Sequence, residues 1–332
     1  MGPEDHFDAG QAPGRDSNAT PASYLPGGSA PSRRWSLFAI KLAVGIALLT
    51  FILWHYDLHS AFELMRRERP VFFVATVALY VGGQVMSAYR WRILAALNGL
   101  HGCYSEYLAY YFVGMFTNIF VPGLVGGDAM RALYLGRRHR RIGPAVGSVM
   151  ADRGVGLLAL LWLAAVAAVC NRRVRLPPSV IHLTAAMGAT LLLGYIASPW
   201  LARRIATTDR LKRLLAPVLP YLERPLALIP AIVLSTLLQL ALATCQYLLG
   251  LGLKLDIALA TFILIVPITN VIASLPITIN GLGMREAGYL FLLGMAGVSK
   301  EQAVALSILY FAASLAGGFT GIFAFLTTPI PD

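Results

Sequence analysis

The sequence predicts an all-α polytopic membrane protein, with about six full spans plus two broken re-entrant helical hairpins in an inverted-repeat arrangement. Three observations carry this expectation. First, 57% of the 332 residues are hydrophobic, only 13% are charged, and the mean hydropathy is +0.67; a soluble globular domain carries roughly 25% charged residues. Second, several runs of about 20 residues are almost free of charge, the length needed to cross a hydrocarbon core of ~30 Å. Third, two stretches within the apolar part have a composition that a continuous membrane helix does not tolerate. Thr117–Arg131 (TNIFVPGLVGGDAMR) holds a proline, three glycines, an acid and an arginine, and Thr269–Glu286 (TNVIASLPITINGLGMRE) repeats the plan.

The chain opens with residues 1–32, which are rich in Gly, Pro, Ala and Ser and have no hydrophobic period, as expected of a disordered tail. Arg33 and Arg34 precede a first span, Trp35–Trp54. Its apolar run is too long for the core of a signal peptide and no small-residue cleavage site follows, so it reads as an anchor. After the polar loop Asp57–Pro70, a second span, about Val71–Tyr89, ends in Tyr89-Arg90-Trp91-Arg92, an aromatic and basic interface signature. In the first broken unit, about residues 104–138, Glu106–Phe120 is a helix, Val121–Gly127 a breaker and Asp128–Gly136 a second, short helix. It closes with Arg137, Arg138, Arg140 and Arg141.

Ala145–Cys170 is the next span and carries Asp152-Arg153 near its start. Ser179–Ser198 returns across the membrane. Leu201–Pro217 alternates apolar and basic residues at helical spacing, which suits an in-plane interfacial helix. Pro225–Leu251 spans again. The second broken unit, about residues 257–296, contains Asp256–Leu275, the breaker Pro276–Gly283 and the return limb Met284–Met295. Gln302–Leu326 is the last span, so residues 33–328 form one membrane domain.

The net charge of +11 belongs to basic loops facing anionic lipid headgroups rather than to nucleic-acid binding. With the N-terminus in the cytoplasm, the inside loops hold Arg33, Arg34, Arg90, Arg92, the cluster at 137–141, the cluster Arg203–Arg213 and Arg224. The outside loops hold Arg66, Arg67, Arg69, Arg172, Arg173, Arg175, Lys254 and Lys300. The excess lies inside, as the positive-inside rule requires. The first hairpin then opens to the cytoplasm and the second to the opposite side, with a site near the midplane where the breaks meet. Cys103, Cys170 and Cys245 have neither pairing nor metal-ligand spacing, and no cofactor or metal is expected.

Ionisable residues inside a membrane are costly and so are functional candidates. Asp128 and Arg131 are three apart and share a helix face, directly after Gly126-Gly127, whose free N–H groups would favour an anion. Arg285-Glu286 repeats the arrangement after Gly281 and Gly283. The plainer alternative is a helix-start acid beside an interface arginine. Asp152-Arg153 is placed to pair with the first hairpin or to sit at the interface. Asn118 and Asn270 are placed to bond across helices or to satisfy the broken backbone. Tyr104, Tyr107, Tyr110, Tyr111 and Phe112 are placed to line a lipid path, but such a group more often forms an interfacial belt.

Four segments in this order, YRWRIL (89–94), GGDAMRALYLGRR (126–138), SVMADRGVGLLAL (148–160) and LPITINGLGMREAGYLFLLGMAGVSKEQAVALSILY (275–310), resemble the flippase-like membrane domain of the lysylphosphatidylglycerol synthases in its stand-alone form, without the soluble synthase domain. The resemblance covers about residues 35–326. It implies that Gly126, Gly127, Asp128 and Arg131, then Asp152 and Arg153, then Gly281, Gly283, Arg285 and Glu286 are the family's motif positions. Asn280 stands where a glycine or small residue is expected, and Asp152 where a glutamate is usual. The resemblance implies a translocase or transport protein for a phospholipid-like or polyprenyl/hopanoid-type lipid in a bacterial inner membrane. Its partners would be lipids with anionic or phosphate-bearing headgroups, without nucleic acid and with room for a homo-oligomer, and it would not be an enzyme. Two other readings stay open: a membrane glycosyltransferase using a polyprenyl-phosphate donor, and an ion-coupled carrier of a small solute.

Overall fold

The computed structural model describes residues 63–66, 69–120, 125–170, 174, 176–206, 215–274 and 283–331. The expected tail, the span at 35–54, the break residues 121–124 and 275–282, and positions 207–214 of the expected interfacial helix lie outside these. Every regular element among the described residues is helical: α1 Pro70–Leu97, α2 Tyr104–Phe120, α3 Val125–Arg138, α4 Ile142–Cys170, α5 Pro178–Ala206, the short α6 Leu219–Glu223, a 3-10 turn Pro225–Leu228, α7 Ile229–Gly252, α8 Leu259–Ser274, α9 Met284–Met295, α10 Lys300–Phe319 and α11 Gly321–Thr327. Five helical stretches are long and apolar enough to cross a membrane: Pro70–Leu97, Ile142–Cys170, Pro178–Arg204, Pro225–Gly252 and Lys300–Thr327. At 1.5 Å per residue, the 29 residues of α4 reach about 43 Å, enough for a tilted crossing.

Residues 201–206 do not start a separate interfacial helix but complete the last turns of α5. The helix runs straight through Pro199, whose missing N–H orphans the Tyr195 carbonyl. The Ser198 hydroxyl donates to that carbonyl at 2.7 Å and repairs the gap.

Close contacts through small residues bring α1 and α7 together. A Cβ on Gly83 would sit 2.8 Å from Leu238, and the Thr76 hydroxyl donates to the Cys245 carbonyl at 3.1 Å. One end of the bundle is tied by side-chain to backbone bonds. The Asn98 amide donates to the Pro144 and Pro217 carbonyls, the Tyr221 hydroxyl to Leu94, the Tyr195 hydroxyl to Pro225 and the Tyr134 hydroxyl to Thr328. This end therefore gathers the C-termini of α1, α3, α5 and α11 with the N-termini of α2, α4 and α7. It carries Arg92, Arg137, Arg138, Arg140, Arg141, Arg203, Arg204 and Arg224. The far end, where α1, α5, α8 and α10 begin, carries Arg69, Lys254 and Lys300 with Asp256 and Glu301 among the described residues.

The first broken unit is an antiparallel hairpin. Glu106 pairs with Arg138 at 3.2 Å, the Tyr110 and Tyr134 rings lie 5.2 Å apart, Gly114 packs on Arg131, and the Gly127 N–H donates to Asn118. The partner numbers of α2 and α3 thus add to a nearly constant value, as antiparallel limbs require. In the second unit α8 folds back along α9, and Gly288 lies against Thr269. The first hairpin opens toward the basic end. The second opens toward the other end, where α7 delivers the chain to α8 (Gly250 lies against Phe262) and α9 hands it to α10.

Candidate functional site

The first hairpin begins its return limb earlier than the sequence suggests. α3 starts at Val125, so Gly126 and Gly127 form its first turn instead of preceding it. The reason is close packing: a Cβ on Gly127 would collide with the Gly114 carbonyl and the Asn118 amide. The Gly127 N–H, one of the groups a helix start leaves unpaired, is not offered to an anion, because Asn118 Oδ1 accepts it at 2.8 Å. Asn118 thus does both things open to it: it bonds across to the opposing limb, and it satisfies a backbone N–H of the broken unit.

Four of the expected residues meet just inside this tip. Asp152 on α4 is buried, and its two oxygens accept from Arg90 Nε at 2.8 Å and from Arg131 Nη2 at 2.9 Å. Arg131 also reaches Asp128 Oδ1 at 3.3 Å. Its guanidinium lies between two rings, 4.3 Å from the centre of Trp91 and 4.2 Å from that of Tyr111. Asp128 in turn takes a fork of bonds from Arg153, Nε to Oδ2 at 2.6 Å and Nη2 to Oδ1 at 2.9 Å. Three arginines therefore share two carboxylates, and the cluster carries one net positive charge.

The members of this cluster differ in access. The side chains of Arg90, Arg131 and Asp152 are 7%, 4% and 2% exposed, whereas Arg153 is 49% exposed and Asp128 16%. Desolvated ions are stable only when paired and hydrogen-bonded. Arg90 meets this condition through Asp152 and a 2.8 Å bond to Ser235 on α7. Arg131 meets it through Asp152, Asp128 and the rings, with only its Nε lacking a partner. Arg153 and Asp128 form the accessible edge. Counting 1.5 Å per helical residue, the cluster lies about 10–15 Å from the basic end.

Arg90 and Ser235 were not among the sequence candidates; Arg90 reads there as an interface residue. A signal was present, because Gly83, Ser87, Arg90, Trp91 and Leu94 follow helical spacing and all are buried. Of the proposed aromatic belt, Tyr107 and Tyr110 are buried core residues. The Tyr107 hydroxyl donates to the Leu100 carbonyl at 2.7 Å, and Tyr111 lines the guanidinium sandwich.

The second hairpin solves its helix start with its own acid. Gly283 has φ 79°, a conformation that favours glycine, and its N–H donates to Glu286 Oε2 at 2.7 Å. Glu286 Oε1 accepts from the Ser307 hydroxyl and from Arg285 Nη2, both at 3.2 Å. The Arg285 guanidinium lies 5.8 Å from the Tyr310 ring centre and 5.7 Å from that of Phe311, and its Nε has no partner. Asn270 is half-buried on α8 and takes no part in this pair. Gly281 lies outside the described residues. Tyr80 on α1 packs on Gly317 of α10. The described residues hold no cluster of three metal-ligating side chains.

Compared with known proteins, the chain matches no curated protein and no solved structure. Residues 38–320 match the family model described as the lysylphosphatidylglycerol synthase TM region. That match takes in both hairpins and every residue of the two charged sites, and the chain belongs to the lysylphosphatidylglycerol synthase transmembrane-region family.

Proposed function

We propose that this chain is a lipid translocase that carries a phosphate-bearing lipid between the leaflets of a bacterial inner membrane. The observation that carries this reading is the Asp128–Arg153 pair: a half-exposed guanidinium on the edge of a buried, net-positive cluster, clamped by a carboxylate in the bidentate geometry a phosphate would also use. A headgroup phosphate exchanges with Asp128 on Arg153. Arg131, held between two rings and two carboxylates, positions Asp128 and supplies field. Arg153 rather than Arg131 therefore makes the headgroup contact in the first hairpin, and Arg285 makes it in the second.

The basic end faces the cytoplasm, because eight described arginines gather there. Hairpins that open to opposite ends then act as inverted repeats, each presenting an arginine to one leaflet in turn, with rocking between them giving alternating access. The lipid is of phospholipid or polyprenyl/hopanoid type.

The test is headgroup exposure in liposomes reconstituted with the full chain. Arg153→Ala and Arg285→Ala should each lower the rate at least 10-fold, and Arg153→Ala should keep the wild-type melting temperature in detergent within about 2 °C, since its half-exposed ion pair contributes only about 0–1 kcal/mol. Wild-type rates in both variants would overturn the reading.

A further inference from the structure

The two charged sites differ by one charge. In the first hairpin three arginines share two carboxylates, so an arriving monoanion brings the cluster to neutrality. In the second, Arg285 and Glu286 already cancel, and their side chains are only 16% and 11% exposed. A monoanion on Arg285 would leave this site with one negative charge at membrane depth, where a desolvated, uncompensated ion is costly. The elements around Glu286 supply no second cation at that depth. α9 adds Tyr289, and α10 adds Tyr310, with Lys300 and Glu301 at its start, about 10 Å before Ser307 by helical rise. α8 has no titratable residue, and α7 and α1 offer only neutral groups, among them Cys245 and Tyr80.

We propose that Glu286 is a proton site: it takes up one proton when an anion engages Arg285, so that the two are carried together. The geometry leaves the carboxylate little else. It cannot withdraw, because Oε2 accepts from the Gly283 N–H at 2.7 Å. It can be neutralised in place, because its bonds tolerate a proton. Oε1 now accepts from Arg285 Nη2 and from the Ser307 hydroxyl, both at 3.2 Å. A proton from water forms an O–H bond at Oε1. That oxygen then gives up Arg285 and donates to Ser307 Oγ, since a hydroxyl accepts as well as donates. Oε2 keeps the Gly283 N–H, so the helix start is unchanged and the whole Arg285 fork is released to the anion. Two negative groups on one guanidinium favour the protonated acid for the same reason that paired carboxylates share a proton. Asp128 needs no such step, because it keeps Arg131 when Arg153 turns to an anion. A monoanion and its proton then cross as a neutral pair, which a pH gradient drives toward the alkaline side. This inference rests on Arg285 holding an anion, as proposed above, and adds the coupling ion.

The test measures proton uptake on binding. The full chain carrying Arg153→Ala, which leaves the second site to the anion, is titrated in detergent with dioleoyl phosphatidylglycerol, a diester whose single charge is constant near neutral pH. A pH-indicator dye in weak buffer should report about one proton taken up per lipid bound. The dissociation constant should rise about 10-fold from pH 6.5 to 7.5, since proton and anion strengthen each other by the same factor. Glu286→Gln, added to Arg153→Ala, imitates the protonated acid and keeps an oxygen for the Gly283 N–H. It should bind without proton uptake, and its dissociation constant should change by less than about 2-fold over the same range. Should that variant fail to fold, the dye reading on Arg153→Ala alone still decides. Binding without proton uptake there, or a pH slope that Glu286→Gln leaves unchanged, would overturn the inference. Arg285→Ala, also added to Arg153→Ala, separates it from the reading beneath. If that substitution abolishes binding but the parent variant takes up no proton, only the proton site falls. If binding persists, or Arg153→Ala itself binds nothing, the role of Arg285 falls as well. Glycerophosphoglycerol, the water-soluble headgroup of the same charge, distinguishes the sources: equal proton uptake assigns the site to a free ester and uptake with the lipid alone to a membrane lipid, and either keeps the proton site.

Discussion

Asp152→Asn removes one charge from the centre of the buried cluster and leaves Arg90 and Arg131 facing each other. Asp152 accepts one bond from each arginine, at 2.8 and 2.9 Å, and its side chain is 2% exposed. A hydrogen bond to an ionised group contributes about 1.5–3 kcal/mol, so two give about 3–6 kcal/mol. Removing one partner of a buried ion pair costs about 3–5 kcal/mol by an independent route, and the two ranges overlap. Arg131 keeps Asp128 at 3.3 Å and its two rings, whereas Arg90 retains only Ser235. The loss therefore falls chiefly on the α1–α4 contact. The assay is thermal unfolding of the purified chain in detergent. At about 2 °C per kcal/mol for a chain of this length, the midpoint should fall by roughly 6–10 °C. The double variant Asp152→Asn with Arg90→Gln should recover part of that fall, because it removes the stranded cation together with its partner. An Asp152→Asn midpoint within 1 °C of wild type would refute the claim that this carboxylate holds the cluster together.

Two further outcomes follow from the hairpin and its loop. Gly127→Ala should destabilise by about 1–3 kcal/mol, since its methyl would meet the Gly114 carbonyl and the Asn118 amide, whereas Gly154→Ala on α4, where nothing lies within 4 Å, should be neutral or stabilise by up to about 1 kcal/mol; thermal melts of the two compared side by side check this. His139, in the loop between α3 and α4, has its pKa lowered from the ordinary 6.5 by burial first and then by Arg138. The unfolded chain thus takes up the proton more readily, stability is full above about pH 6.5 and falls as the pH drops below it, and His139→Gln should flatten that part of a melting profile taken between pH 5 and 7.5. An identical pH dependence in both proteins would count against it.

The spans were legible because length and apolarity alone define them: five of the six expected appear, and the remaining one falls outside the described residues. The antiparallel folding of 104–138 was legible too, because proline and glycine punctuate the run. The boundary at Val125 was not. Glycine is an unfavourable helix residue, and only the approach of α2 makes two of them useful in a first turn. Arg90 shows a second limit. Trp91 and Arg92 beside it give the composition of an interface, and composition does not reveal that α1 turns its 83–87–90–94 edge inward. Ser235 and the guanidinium sandwich depend on contacts between residues more than 100 positions apart, or on the packing of α2 against α1, which no local pattern encodes.

The two hairpins meet one physical requirement by different means, and the difference bears on mechanism. A helix that starts at membrane depth must satisfy its first N–H groups without water. The first hairpin borrows Asn118 from the opposing limb, which leaves Asp128 free to face Arg153. The second uses Glu286 from its own first turn, which ties that carboxylate to the backbone. An acid bound only to arginines can give way to a competing anion, because the exchange replaces like with like. An acid that also closes a glycine N–H at positive φ cannot leave without unwinding the helix start. On the proposed reading the exchangeable pair is therefore Asp128–Arg153, at the half-exposed site nearer the basic end, while the Arg285 site has a fixed counterion. On the proposed reading, two sites of opposite access in one conformer are what alternation between leaflets requires.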